Sequence, residues 1–340
     1  MPRGTTNKLR NDAHYGWHWR GEGNFFEGWY YRLTLPQQGQ CFAFMYEVSV
    51  RPPRSQLQGA VQVLGKDDQL IFAELDPRGK FDLSYKDLAL RYTPADGSRF
   101  NLNFDLSDRQ HSGHIAKDNY ECVWNFRISS LIPSWGETMG WLSYLPIFEP
   151  YWQILLPYGL AEGEVAWNGI VYGFRNAPLY AEKNWGVSFP LKWFWLQCHS
   201  FSECHEPINL VSTGAVRWVM GRMTQVAMIA LWWHGKVYAF LPENSDLWVS
   251  VSPWGSWCVQ GYNSIYRMEI EAIAPCPPTP VAVPTQNGRD FRCRDTGRGI
   301  LQLSLWQGAT RLLKVSSETA ALETGGDNWQ GIWQFCSEYI

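Results

Sequence analysis

Bulky side chains recur at every second position along short segments of this chain, and turn-forming residues separate those segments. In residues 25–34, Glu27, Trp29, Tyr31 and Leu33 fall on one side of an extended strand, while Phe26, Gly28, Tyr30 and Arg32 fall on the other. Residues 41–48 repeat the design, with Phe42, Phe44, Tyr46 and Val48 alternating with Cys41, Ala43, Met45 and Glu47. Pro36-Gln37-Gln38-Gly39 lies between them, so the two segments read as a hairpin. Few segments hold a 3.6-residue period, so the pattern predicts strands.

Further strands are predicted at 60–64, 70–74, 88–93, 100–106, 152–156, 164–174 and 193–199. In the second half they are predicted at 214–220, 228–233, 236–240, 247–251, 257–260, 265–273, 299–305 and 311–315. The segment 139–148 reads as including a short turn-like helix, and 275–284, with five prolines, reads as an extended surface connection. Many short strands at this spacing make a sandwich or a barrel. Aromatic residues on both faces of 25–34 favour barrels with a lined interior. Two halves of similar strand number fit two all-β modules, divided as 1–190 and 191–340.

Composition removes several functional classes. The chain has 20 Trp, 17 Phe and 16 Tyr in 340 residues with a formal charge of -3, the opposite of a disordered composition. There is no basic surplus or block, so nucleic acid is not an expected partner. Residues 1–12 contain no apolar run and read as no secretory signal. The uncharged stretch 247–266 is interrupted by Pro253, glycines and serines, a poor membrane helix. Eight cysteines are too few for a disulfide scaffold and are expected as reduced thiols, although Cys276 and Cys293 flank the proline-rich loop and could approach each other.

The familiar catalytic motifs are missing. Gly21-Glu22-Gly23 lacks the third glycine of a dinucleotide loop and leads into a strand. Cys198-His199 with Cys204-His205 has ligand types that suit zinc. Adjacent strand residues face opposite ways, however, so the plainer reading is one buried thiol and one surface imidazole at each end of a hairpin. His111 and His114 sit in a polar segment that reads as a turn, with a proton-transfer role left open.

Longer blocks are more specific. Asn24-Phe25-Phe26-Glu27-Gly28-Trp29-Tyr30-Tyr31-Arg32 resembles the plant and cyanobacterial tocopherol cyclase family. So do Phe44-Met45-Tyr46 and Leu145-Pro146-Ile147-Phe148-Glu149-Pro150-Tyr151-Trp152-Gln153. The likeness continues through Asn176-Ala177-Pro178-Leu179-Tyr180-Ala181-Glu182-Lys183-Asn184-Trp185-Gly186 and Phe189-Pro190-Leu191-Lys192-Trp193-Phe194-Trp195, and returns at Ala320-Ala321-Leu322-Glu323-Thr324-Gly325-Gly326. The resemblance implies two lipocalin-like antiparallel β modules and closure of the chromanol ring of vitamin E from a benzoquinol with a phytyl or geranylgeranyl tail. No redox cofactor or metal accompanies that reaction. One departure stands out: the family often has Cys-x-Asp-Thr-Cys, and here Cys293-Arg294-Asp295-Thr296 is followed by Gly297, which argues against a thiol pair or metal site.

The implied chemistry needs a proton for the alkene, shelter for a cation at a tertiary carbon, and a fixed phenol oxygen. A carboxyl in a dry setting can donate the proton, and aromatic faces can stabilise the cation. Glu182 and Asn184, in the densest polar island of an apolar region, are the first candidates for catalysis, and Glu27, on the Trp29 and Tyr31 face, is the next. Glu47, Asp82 and Glu149 complete the set of acids considered. Expected contacts to substrate are Trp29, Tyr31, Glu149, Trp152, Tyr180, Lys183, Trp185 and Trp193, with Lys183 more simply neutralising Glu182. Any single Trp or Glu here could equally be an ordinary core or hydrogen-bonding residue.

The substrate is lipid-soluble, so peripheral membrane attachment is expected: thylakoid or plasma membrane in a cyanobacterium, a plastid lipid droplet in a plant. A related terpenoid hydratase or cyclase, and a non-catalytic lipid or quinone carrier, are the alternatives. Carbohydrate binding on Trp platforms is weaker, because the aromatics lie within strand patterns.

Overall fold

The computed structural model describes residues 16–51, 54–95, 102–132, 150–219, 221–327 and 329–337. Glu149 and the segment 139–148, where a short helix was expected, lie outside them. The architecture is all-β, as the alternation predicts, and the described residues divide into two units, the first holding 16–35, 42–132 and 151–188, the second holding 189–337 together with 36–41 and Pro150.

The first unit is built on β1 (Phe25–Leu35), β2 (Gln40–Arg51), β3 (Arg54–Leu64), β4 (Leu70–Glu74), β5 (Lys80–Leu83), β6 (Ala89–Thr93), β7 (Asn103–Ser107), β8 (Gln110–Lys117), β9 (Tyr120–Ile132), β10 (Tyr151–Trp167) and β11 (Ile170–Gly186). These form one sheet in the order β4-β3-β2-β1-β11-β10-β9-β8-β7-β6-β5. The predicted hairpin is β1–β2. The sheet curls: Phe44 on β2 meets Trp124 on β9, and Tyr46 meets Phe104 on β7, although these strands are four to six places apart in the sheet. Near the two ends of the sheet, the Tyr92 hydroxyl on β6, the strand next to edge strand β5, donates to the carbonyl of Asp76, just past edge strand β4. The curl encloses a core of large rings, and burial of each Phe- or Leu-sized side chain contributes about 1.5–3 kcal/mol.

The second unit has β12 (Lys192–Cys198), β13 (Ile208–Val219), β14 (Arg222–Trp233), β15 (Lys236–Phe240), β16 (Asp246–Val251), β17 (Ser256–Tyr262), β18 (Tyr266–Ile273), β19 (Thr279–Thr285), β20 (Gly288–Gln307), β21 (Thr310–Gly326) and β22 (Trp333–Ser337). Its sheet runs β15-β14-β13-β12-β21-β20-β18-β17-β16-β22, with β19 added against β20. It curls as well, since Phe194 on β12 packs edge-on against Trp333 on β22, whose indole donates to Gln225 on β14. In each unit the first strand pairs antiparallel with a long late strand, β1 with β11 and β12 with β21.

Two predictions fail for local reasons. The single strand expected at 164–174 is a hairpin, because Asn168 (φ 49°) and Gly169 (φ 78°) make the left-handed turn that Asn-Gly favours. The surface connection at 275–284 contains β19, with Val281 and Val283 buried. Its prolines are tolerated because β19 pairs with one strand only.

Candidate functional site

The β1–β11 ladder positions most of the predicted residues. Glu27 lies opposite Trp185, Trp29 opposite Lys183, and Tyr31 opposite Ala181, so all of these side chains share the face that carries the core. On that face Glu27 and Lys183 are both fully buried, and Lys183 Nζ donates to Glu27 Oε1 at 2.6 Å. The ammonium also donates to the Gly16 carbonyl at 2.9 Å. The backbone N–H of His18 donates to Glu27 Oε2 at 2.9 Å, and its Nδ1 lies 3.1 Å from Oε1.

Aromatic rings close over these groups. Lys183 Nζ sits 5.3 Å from the Trp185 ring and 5.8 Å from Trp29. The His18 ring stacks on Trp185 at 4.2 Å, Tyr151 stacks on it at 5.3 Å, and Trp17 lies 6.2 Å from Trp29. Burial alone would raise the Glu27 carboxyl, but the Lys183 charge and the His18 contacts outweigh it and hold the group below the usual carboxylate range. Burial lowers Lys183, with Glu27 opposing. The result is an enclosed ion pair in an aromatic box, chemically an anchor or a proton acceptor.

The remaining candidates separate by strand parity. Glu182, Asn184 and Tyr180 lie on the opposite face of β11, with Trp152 directly across from Asn184 and Ile154 across from Glu182. The Tyr180 hydroxyl donates to Glu182 Oε2 at 2.6 Å, and both residues are buried. Burial and then the Glu182 charge push the Tyr180 phenol well above its ordinary value. Lys183 therefore pairs with Glu27, and the expected neutralisation of its neighbour Glu182 is corrected: consecutive strand residues point apart. Asn184 and Trp185 are half-buried. Trp193 belongs to the second unit, and Glu149 lies outside the described residues.

Two groups escaped the sequence reading. His111, expected in a polar turn, is on β8 with no exposure, among Tyr31, Phe44, Trp124 and Phe126. Its Nε2 lies 2.6 Å from the Tyr46 hydroxyl, and burial drives its pKa down to about 3. Alternation along β8 would have put His111, Gly113 and Ile115 on one face, but the polar neighbours hid it. Glu323 on β21 accepts a hydrogen bond from the Trp193 indole and contacts Cys293, and burial raises its carboxyl. Its only sequence signal is its place in the 320–326 block.

His199 is buried, which corrects the expected surface imidazole. Cys276 and Cys293 are free thiols, Cys276 bonding the Thr296 hydroxyl. Among the described residues, no group of three or more His, Cys, Asp or Glu side chains is placed to hold a metal ion.

Comparisons with known proteins agree with this architecture. Residues 23–326 match the tocopherol cyclase-like family. A probable chloroplastic tocopherol cyclase of Oryza sativa subsp. japonica is 32% identical, over 94% of this chain and 80% of the relative. The chloroplastic tocopherol cyclase of Zea mays is 32% identical over 94% and 79%. Among solved structures, CghA superposes with a TM-score of 0.59 at 10% identity, covering 91% of this chain and 89% of that one. A putative AttH of Nitrosomonas europaea gives 0.51 at 11%, covering 89% and 92%. Those two likenesses concern the lipocalin-like fold. The sequence matches carry the classification: this chain belongs to the tocopherol cyclase-like family, whose activity is of the cyclase type.

Proposed function

We propose that the protein closes the chromanol ring of a prenylated benzoquinol with a phytyl or geranylgeranyl tail. The observation that carries this reading is the pairing of cyclase relatives along nearly the whole chain with carboxyls buried beside aromatic rings on strand positions. In the reaction an acid gives its proton to one alkene carbon, leaving positive charge on the tertiary carbon. The phenol oxygen bonds to that carbon, and the phenolic proton restores the acid. Nothing is oxidised or reduced, so the chemistry calls for no redox cofactor. The tether already makes ring closure intramolecular, and the protein's task is protonation and choice of face.

In this reading Glu27 serves as an anchor, because a carboxylate held by Lys183 and His18 is a poor proton donor. The test is incubation of the purified protein with phytyl- and geranylgeranyl-benzoquinol, followed by chiral chromatography and mass spectrometry. A chromanol has the mass of its precursor and one dominant stereoisomer is expected. A product heavier by one water would replace the reading with a hydratase, and binding without turnover would replace it with a carrier.

The substrate's solubility also supports peripheral membrane attachment. No helix among the described residues is long and apolar enough to cross a membrane. A contact point is available at the β13–β14 hairpin, where Trp218 and Met223 are cross-strand partners exposed at 61% and 63% beside Arg222. An amphipathic ring, a flexible thioether and a guanidinium suit a lipid headgroup boundary.

A further inference from the structure

Cyclisation begins with a proton, so the donor must be a neutral acid in the resting protein, placed where a ligand can reach it. Of the first unit's acids, Glu27 is ion-paired and so a poor donor, and Glu182 is tied to the Tyr180 hydroxyl. Glu323, in the second unit, has different surroundings. Along β21, Ala320 and Leu322 belong to the core, and alternation turns Glu323 to the opposite face of the sheet. There it lies opposite Trp195 on β12 and opposite Asp295 on β20. Its carboxylate oxygen Oε1 accepts the Trp193 indole N–H, and the Cys293 thiol is in contact. Among the described residues no lysine, arginine or histidine pairs with it.

The backbone is shaped for this contact. A Cβ on Gly325 would sit 2.0 Å from the Trp193 ring, so only glycine there lets the indole lie over β21 and aim its N–H at Glu323. Gly326 (φ 91°) then turns the chain away. Glu323 keeps partial exposure while burial of its carboxyl favours the neutral form.

We propose that Glu323 is the proton donor of the cyclisation, with Trp193 and Gly325 as its positioning residues. The assignment rests on the reading that the substrate is a prenylated benzoquinol. The Glu323 O–H bond breaks as the new C–H bond forms at the alkene. The phenol oxygen then closes on the tertiary carbon, and the phenolic proton returns to the Glu323 carboxylate, leaving the enzyme unchanged.

The test compares the full-length wild type with Glu323→Gln and Trp193→Phe, using phytyl- and geranylgeranyl-benzoquinol. Glu323→Gln is expected to lower kcat by about 10²- to 10⁴-fold with KM and melting temperature retained. Trp193→Phe removes a donor that favours the charged form, so the alkaline limb of kcat against pH moves to higher pH. A purely structural role for the indole would not move that limb. Infrared difference spectra, which do not depend on turnover, should show a neutral-carboxyl C=O band at neutral pH that disappears in Glu323→Gln. Turnover within a few-fold of wild type in Glu323→Gln, an unmoved limb in Trp193→Phe, or no such band would overturn the assignment. A wild type that leaves both quinols unchanged would refute the proposed reaction itself, and the donor role would fall with it.

Discussion

Removing one partner of the Glu27–Lys183 pair should destabilise the first unit with opposite pH dependences for the two partners. In wild type the Glu27 carboxyl is held below 4.5, so its contribution is present above that pH and is lost as pH falls through the lower folded value. Lys183→Met strands the carboxylate, which escapes by binding a proton. At pH 7 the cost of binding that proton is bounded by the distance from 4.5, at most about 3 kcal/mol. The folded pKa now lies above the unfolded one, so the penalty grows with pH and falls below about 1 kcal/mol at pH 5. A pH-independent remainder of about 1 kcal/mol comes from the Gly16 carbonyl, which loses its donor. Glu27→Gln strands Lys183 instead. Deprotonation from 10.5 costs at most about 5 kcal/mol at pH 7, and this penalty shrinks as pH rises. Both figures match the roughly 3–5 kcal/mol typical of a broken buried pair, and the double variant should cost less than the two single changes together. Hydrogen exchange of the β1 and β11 amides, corrected for intrinsic rates at pH 5, 7 and 9, reads the local stability. Penalties that stay flat with pH, or below about 1 kcal/mol at pH 7, would refute an enclosed ion pair.

Other consequences follow from the same geometry. His111 is neutral in the fold with a pKa near 3 but protonates at 6.5 when unfolded, so wild-type stability should fall as pH drops below 6.5, at up to about 1.4 kcal/mol per unit. Urea titrations should show the stability gap between wild type and His111→Gln closing over that range. Gly113→Ala would put a methyl 2.2 Å from the Trp124 ring and should cost about 1–3 kcal/mol. Gly173→Ala meets nothing within 4 Å and should be neutral or stabilise by about 0.5 kcal/mol, so equal losses in thermal melts would contradict the packing described. Trp218→Glu/Met223→Glu should reduce flotation with anionic liposomes several-fold without changing turnover of detergent-dispersed quinol, whereas unchanged flotation would remove the hairpin as a membrane contact.

Period-two alternation made most of the strands legible, because each sheet hides one face and the side chains record which. It also carried information about the site. Parity alone separates Lys183 and Trp185 from Glu182 and Asn184, whereas grouping 182–184 as one polar island followed nearness in sequence. What parity lacks is the partner. Glu27 and Lys183 lie 156 positions apart, and only closure of β1 against β11 brings them together. His111 was obscured for a similar reason: Gln110, Ser112 and His114 look like a wet turn, yet the face on which His111 lies is enclosed when β2 packs across the curled sheet. At 164–174 the alternation ran straight through Asn168-Gly169, and turn chemistry prevailed over strand pattern.

The two units show what a repeated topology can vary. In both, a residue on the first strand reaches diagonally to one on the late strand, two positions before its ladder partner: Glu27 to Lys183 past Trp185, and Trp193 to Glu323 past Gly325. The first contact points to the core side, where an unneutralised charge would cost several kcal/mol, and an ion pair occupies it. The second points away from the core, where the partner is an indole N–H and burial raises the Glu323 carboxyl. Exchanging the settings gives the sharpest comparison of the pair. Trp193→Lys would place an ammonium beside Glu323, favour the carboxylate, and should remove cyclisation while preserving the ladder. A Trp193→Lys variant that folds and turns over quinol at the wild-type rate would show that the neutral state of Glu323 has no part in the chemistry.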